Sequence, residues 1–288
     1  MKIAVIGSMN IDKVCVVDRI PQIGETIKAS AYFESFGGKG ANQAVAIAKL
    51  SAKVSMIGCV GVDGYGDKII TYMNDLGIDM SGVKALDDAV TGSAFIYIGE
   101  NDNTIVIVGG ANDQVNTLYL NQVEAVIEEA DVLLLQNEIP KTTVEYVLNT
   151  YGERKTIIYN PAPYFTIDTK ALIKATWITP NESEAELMKM NLGDHDIDKQ
   201  LIITKGSEGV TYYENGELKQ LAASTCTVKD TTGAGDTFNG ALAYALSKDW
   251  SISEAVSFAN TAAGISTERI GAQGGMPNIE QVMERMKQ

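Results

Sequence analysis

Histidine is almost missing from this 288-residue chain: His195 stands alone. A Ser-His-Asp hydrolase is thereby disfavoured, and metal centres built on several histidines are excluded. The polar neighbours Gly193, Asp194 and Asp196 place His195 in a surface loop. Cysteine is also scarce. Cys15, Cys59 and Cys226 are far apart and form no C-x-x-C, so neither a zinc site nor a disulfide framework is signalled. Basic residues are outnumbered 23 to 37, for a net charge of −14. That surface does not suit nucleic acid, whose phosphates need a basic footprint. An anionic substrate would have to meet a locally positive site. No apolar run approaches the ~20 residues of a membrane span, and residues 1–7 are too short a run for a signal peptide. The expectation is a cytoplasmic protein with no membrane and no nucleic-acid partner.

What is present is an ordinary globular composition, 45% hydrophobic and 21% charged. The length suits one large α/β domain or two small ones. Residues 3–6 form a short apolar run ended by Gly7-Ser8, a buried first strand. Extended pieces at 14–17 and 26–36, then at 93–98 and 104–108 around a turn at 99–103, predict a small separate sheet. Gly37-Gly38-Lys39-Gly40-Ala41-Asn42-Gln43 opens a helix but is no Walker loop, since Gly40 stands where Ser or Thr is required. Lys39 and Asn42 there either face a polyhydroxylated or anionic ligand or belong to a solvated glycine turn. A strand at 54–60 and a turn-rich loop at 61–66 lead to a helix at 68–76.

Beyond residue 117 the pattern alternates, which predicts a parallel sheet covered on both faces. Helices are expected at 118–129, 143–149, 184–190 and 252–267, and strands at 131–136, 156–159, 177–179 and 201–204. Asn215-Gly216 between two β-like runs predicts a hairpin. Polar residues end strand after strand, and in such sheets ligands bind beyond the carboxyl ends. Asn10 and Asp12, however, also suit a turn in which they bond their own backbone.

The chain is organised around Asp230-Thr231-Thr232-Gly233-Ala234-Gly235-Asp236-Thr237-Phe238-Asn239-Gly240. Phe238, Ala241, Leu242, Ala245 and Leu246 follow at helical spacing, so two glycines and an aspartate stand where a helix begins. The first amides of a helix lack internal partners and lie at its electropositive end, which suits an oxyanion or a transferring phosphoryl group. Asp236 there either caps the helix or takes a proton from an attacking hydroxyl.

These segments, with Gly7-Ser8-Met9-Asn10-Ile11-Asp12, Asn160-Pro161-Ala162-Pro163 and Thr179-Pro180-Asn181-Glu182-Ser183-Glu184, run in the order of the PfkB-like carbohydrate kinase family, which the chain resembles over nearly its whole length. The Gly-Gly-Lys-Gly-Ala-Asn-Gln form and the Asn-x-Asp of the first loop are similar to its ribokinase branch rather than to fructokinases or adenosine kinases. The resemblance implies a ribokinase-like three-layer αβα sandwich: one domain over 1–288, a mostly parallel central sheet, and a small β lid from about 12–36 and 92–108 that also makes a homodimer. It implies ATP-dependent phosphorylation of D-ribose at O5, with Asp236 as general base and Gly233, Ala234 and Gly235 as the anion hole. Asn10, Asp12, Gly38, Lys39, Asn42 and Glu138 would bind the sugar. Asn181 and Glu184 would organise Mg²⁺ and phosphate, and Thr204, Gly206, Ser207, Gly209 and Asn260 would line the ATP site. K⁺ would sit by the anion loop on Asp230, Thr232, Ser266, Arg269 and Gly271, with Gly275 nearby.

Two departures stand out. The segment between Met190 and Leu201 is shorter than the family pattern, and Lys205 replaces an apolar residue. Lys205 lies either near the phosphates or on the surface. The alternatives are a kinase for another sugar such as deoxyribose, and a catalytically silent sugar-binding regulator on the same fold. A Rossmann dehydrogenase is disfavoured, because no G-x-G-x-x-G follows the first strand.

Overall fold

The computed structural model describes residues 1–99, 102–192 and 195–287. It opens on β1 (Ile3–Ile6), four apolar residues that are all buried. β2 (Asn10–Val16) and β3 (Ala31–Gly37) pair antiparallel before α1 (Lys39–Lys49) begins. β4 (Val54–Gly61), α2 (Gly64–Asp75) and β5 (Asp79–Leu86) come next, then the antiparallel pair β6 (Gly92–Gly99) and β7 (Asp102–Val108). Alternation follows through α3 (Thr117–Gln122), α4 (Glu124–Glu128), β8 (Val132–Leu135), α5 (Lys141–Tyr151), β9 (Thr156–Tyr159), α6 (Thr169–Leu172), β10 (Trp177–Ile178) and α7 (Glu182–Asn191). The chain ends with β11 (Ile202–Thr204), β12 (Val210–Glu214), β13 (Glu217–Leu221), α8 (Ala234–Leu246), α9 (Ile252–Ser266) and α10 (Ile279–Arg285).

The central sheet has the order β10-β9-β8-β1-β4-β5, and every pairing in it is parallel. β1 shows why both faces must be covered. Ile3 and Val5 join a core with Phe238, Leu242 and Phe258, while Ala4 and Ile6 join the opposite core with Val144, Leu148 and Tyr151. Side chains alternate along a strand, so an unbroken apolar run feeds two cores at once. The strand order reverses between β1 and β8, and such a switch point opens a crevice beyond the carboxyl ends of those strands.

β3, β2, β6 and β7 form the separate four-stranded sheet. Phe36 of β3 stacks on Tyr72 of α2 with ring centroids 4.4 Å apart, and the Tyr65 hydroxyl donates to Glu34, so the sheet is tied to the body. Much of it stays uncovered: Tyr32, Phe33, Ile98, Ile105, Val106, Ile107 and Val108 are exposed.

Several expectations are corrected. The single helix expected at 118–129 is broken at Val123, whose φ of −113° and ψ of 17° end α3. Gly64 and Gly66 are not loop but the first turn of α2, because the Asp63 carboxylate accepts from the amides of Tyr65 and Gly66. β5 and α6 had no clear sequence signal: β5 is a half-buried edge strand, and α6 is a single turn capped by Asp168. β11 hydrogen-bonds antiparallel to β12 and is joined to the main-sheet side by the parallel bridges Ile178–Leu201 and Asn181–Thr204. Part of the turn expected at 99–103, namely Glu100 and Asn101, lies outside the described residues. So do Gly193 and Asp194; of the rest of the shortened segment, only a 3-10 turn at Asp198–Gln200 precedes β11. His195 is exposed. The hairpin through Asn215 and Gly216, at φ 52° and 82°, has the two left-handed residues that a tight two-residue turn needs. Among the described residues no helix is long and apolar enough to cross a membrane.

Candidate active site

The crevice at the switch point is built by the starts of α1 and α8. α8 opens after Gly233, at φ 77°, where a Cβ would lie 2.7 Å from the Ala272 carbonyl oxygen. Only glycine makes that turn without strain. No side chain caps α8. Ala234 and Gly235 are its first two residues and Asp236 its third. Asp236 is 7% exposed, and its carboxylate turns away from its own helix toward α1. Asn42 Nδ2 donates to Oδ2 at 2.9 Å and Gln43 Nε2 to Oδ1 at 3.0 Å. The acid is therefore held between two helices rather than spent as a cap.

α1 opens after Gly38, at φ 89°, where a Cβ would meet the Asn10 amide nitrogen at 2.8 Å. Its free end is occupied by Glu138, from the loop after β8. Glu138 Oε2 accepts from the Lys39 amide at 3.0 Å and from Ser8 Oγ at 2.5 Å. A carboxylate suits that electropositive end. Asn10 and Asp12 lie on β2 rather than in a turn. Asn112 fixes the Asn10 region by donating to Asn10 Oδ1 at 2.7 Å and accepting from the Met9 amide at 2.9 Å.

The electrostatics are concentrated here. Burial pushes the Asp12 carboxyl up to about 6, helped by the nearby charges of Glu138 and Asp236. Burial works against the Lys39 ammonium, but Asp236, Glu138 and Glu184 outweigh it and hold its pKa above the usual lysine value. Glu184 is raised by burial, partly offset by the Asn181 amide and Lys39. Lys39 is thus a positive centre inside an acidic protein.

Lys39, Gly233, Gly235 and Asp236 share one cavity with Asn181, Glu184 and Thr204. Asn181 and Glu184 form a reciprocal cap on α7, each side chain accepting from the other's amide, and Thr204 bridges Asn181. Gly206, Ser207, Gly209 and Asn260 lie outside this cavity. The first three form the turn between β11 and β12, and Asn260 on α9 donates to the Ala222 carbonyl at 2.8 Å. Lys205 points to the start of α7, 3.7 Å from Glu182.

Just ahead of the Gly233 turn, Asp230 Oδ1 accepts from the Thr232 amide and hydroxyl at 2.9 and 2.6 Å, and Oδ2 accepts from the Gly271 amide at 2.8 Å. Burial resists this carboxylate's charge, but those bonds outweigh it and hold its pKa below the usual value. Gly275 packs on the Ser266 carbonyl, and Arg269 is exposed. Among the described residues no group of three or more His, Cys, Asp or Glu is placed to hold a metal. A carboxylate is a hard oxygen donor, which suits a hard cation and not a transition metal.

Sequence reasoning missed Gln43, Gln136 and Gln273 as members of the site, along with Asn112 and Asn239. Asn239 accepts from Thr179 Oγ1 at 2.6 Å and donates to the Gly235 carbonyl at 2.9 Å, so it braces the first turn of α8. Its place one turn beyond Gly235 was the available signal.

An uncapped helix start, a buried carboxylate beside it and a lysine among acids define a site for phosphoryl transfer to a hydroxyl. Residues 1–279 match the family model for pfkB family carbohydrate kinase. The chain belongs to that family. Within it, the chain is 40% identical to the ribokinase of Lactococcus lactis subsp. lactis (strain IL1403), over 100% of this chain and 97% of that one. Its fold is similar to the crystal structure of ribokinase from Thermotoga maritima, with TM-score 0.91, 35% identity and 99% of each chain covered. It is also similar to Arabidopsis thaliana ribokinase complexed with ribose and ATP, with TM-score 0.89, 29% identity, and 99% and 98% coverage.

Proposed function

We propose that this protein transfers the γ-phosphoryl group of ATP to O5 of D-ribose. The observation that carries the reading is the buried Asp236 carboxylate, set in the first turn of α8 and opening on the same cavity as Gly233, Gly235 and Lys39. Asp236 accepts the proton of the sugar's primary hydroxyl as that oxygen attacks. The amides of Gly233, Ala234 and Gly235 hold the charge that grows on the transferring group, and Lys39 adds a cation beside it. Asn10, Asp12, Gly38, Lys39, Asn42 and Glu138 bind the sugar; carboxylates and amide oxygens suit a ligand that offers several O–H donors.

Thr204, Gly206, Ser207, Gly209 and Asn260 form the nucleotide side. Asn181 and Glu184 would hold Mg²⁺ through water, as such sites do with few protein carboxylates, and the ion supplies charge neutralisation on the phosphates. Asp230 and the carbonyls of Thr232, Ser266, Arg269 and Gly271 would hold K⁺, with Gly275 nearby, and this would stabilise the anion loop. The sheet of β2, β3, β6 and β7 is the lid, and its exposed apolar residues support a homodimer made through it. The protein acts in the cytoplasm, where ATP is supplied.

A coupled ADP-release assay across pentoses, hexoses and nucleosides tests the reading. Ribose should give the highest kcat/KM and deoxyribose a much lower one, with Asn10 reading the 2-hydroxyl. Equal values for the two would overturn the ribose assignment. Sugar binding without any ADP release would instead establish the silent regulator.

A further inference from the structure

Asp236 is held by a chain of amides that leads away from the cavity. Gln43 Nε2 donates to Asp236 Oδ1 at 3.0 Å, and Gln43 Oε1 accepts from Gln136 Nε2 at 2.6 Å. Gln43 and Gln136 are both fully buried. A second arm mirrors the first: Gln273 Nε2 donates to Asn42 Oδ1 at 2.9 Å, and Asn42 Nδ2 donates to Asp236 Oδ2. Lys49 anchors that arm by donating to the Gln273 carbonyl at 2.6 Å. Each carboxylate oxygen thus has its own amide donor, and each donor is oriented by a further amide.

The direction of the first arm is set by charge. An ionised carboxylate only accepts, so Gln43 must turn its NH₂ to Asp236 and its oxygen away. Gln136 must then meet that oxygen with its own NH₂. Its Oε1 is left facing Gly7, with no hydrogen-bond partner. A buried orphan acceptor is unfavourable and rare. Reversing Gln136 would satisfy nothing better, since it would set two oxygens against each other. The orphan is what the chain leaves behind when it is ordered from the carboxylate outward.

We propose that Gln136 and Gln43 are positioning residues, an amide relay that fixes the Asp236 carboxylate in the orientation that receives the substrate proton. The proposal rests on the reading of Asp236 as the base. Gln136 touches neither Asp236 nor the cavity, so its contribution is through Gln43. In a relay of this kind the loss appears in the chemical step and not in the binding of sugar or ATP, because a carboxylate out of line costs alignment rather than affinity.

The test uses Gln136→Met, which keeps length and volume and has no donor, and Gln136→Glu, which keeps shape and sets an acceptor against Gln43 Oε1. Gln136→Met should fold with little change in Tm, since it removes the orphan Gln136 Oε1 but leaves Gln43 Oε1 without its donor. Its kcat should fall about tenfold while both KM values stay within about twofold. Gln136→Glu should lose about a hundredfold in kcat. A merely structural role would lower Tm without separating kcat from KM. Asp236→Asn, measured alongside, separates the two readings. If it is crippled while Gln136→Met keeps the parent kcat, the relay is wrong and the base stands. If Asp236→Asn turns over normally, the base assignment itself fails. Should Gln136→Met not accumulate as folded protein, Gln43→Met removes the donor to Oδ1 directly, and an unchanged kcat there overturns the proposal.

Discussion

α8 and α9 are consecutive in the chain, but they begin in opposite ways. α9 starts at Ser251, whose hydroxyl accepts from the Glu254 amide while Glu254 reaches back to the Ser251 amide at 2.9 Å. Its free donors are satisfied from within, and an acid lies in its first turn as the helix dipole favours. α8 starts at a left-handed glycine with no side-chain cap, and the acid in its first turn faces a different helix. One start is closed by a reciprocal pair of side-chain bonds, and the other has no side chain across it. The difference separates a helix end closed by its own side chains from one that no side chain closes, where only the Ala234 amide has a partner in the preceding turn, the Thr231 carbonyl at 3.2 Å.

Substitutions at the two starts should therefore have opposite signatures. The largest effect is expected from Asp236→Asn, which keeps the shape and removes the proton acceptor: steady-state kinetics should show kcat lowered by roughly 10²–10⁴ with the fold intact. Gly233→Val should come next. It forces a branched side chain onto a left-handed φ and against the Ala272 carbonyl, and the displaced amides should cost about 10²-fold in kcat/KM.

A third effect sharpens the picture on the sugar's side. Asp12 has its pKa raised from 3.8 to about 6 by burial, then by Glu138 and Asp236. The raised value means that the empty fold favours the protonated acid more than the unfolded chain does. The stability this contributes is present below the unfolded pKa of 3.8 and is lost as pH rises through about 6. Sugar binding runs the other way, because the ionised form accepts more hydroxyls. The sugar KM should rise as pH falls through about 6, followed by initial rates across about pH 5–8; a flat profile would remove Asp12 from the sugar's contacts. The smallest effect belongs to α9: Ser251→Ala should lower unfolding stability by about 1 kcal/mol, read by denaturant titration, with kcat untouched. A change in turnover there would blur the distinction between the two helix ends.

The backbone of the site was legible where chemistry is local. Gly233, Gly235 and Asp236 ahead of an apolar helical face mark a helix start at which backbone amides lie open to close approach. β9 is bounded as expected at 156–159, because its apolar run is closed by Lys155 and Asn160. β5 was not legible: Asp79, Gly82 and Lys84 interrupt any alternation, and an edge strand held by β4 alone has little need of one. The amide relay was hidden for a different reason. Gln43 and Gln136 meet across 93 residues of sequence, and nothing local distinguishes a glutamine that orients another from one in solvent. Asn112 supports the Met9–Asn10 region from a similar distance. Asp236 looked equally suited to capping α8, and only the placement of α1 beside it gives its carboxylate other partners.

The most direct test of the central claim is a crystal structure with ribose and a non-hydrolysable ATP analogue bound. The account predicts ribose O5 within hydrogen-bond reach of the Asp236 carboxylate, about 2.6–3.2 Å, with the γ-phosphate against the amides of Gly233, Ala234 and Gly235. A sugar whose O5 faces away from Asp236, or a γ-phosphate held elsewhere, would contradict it.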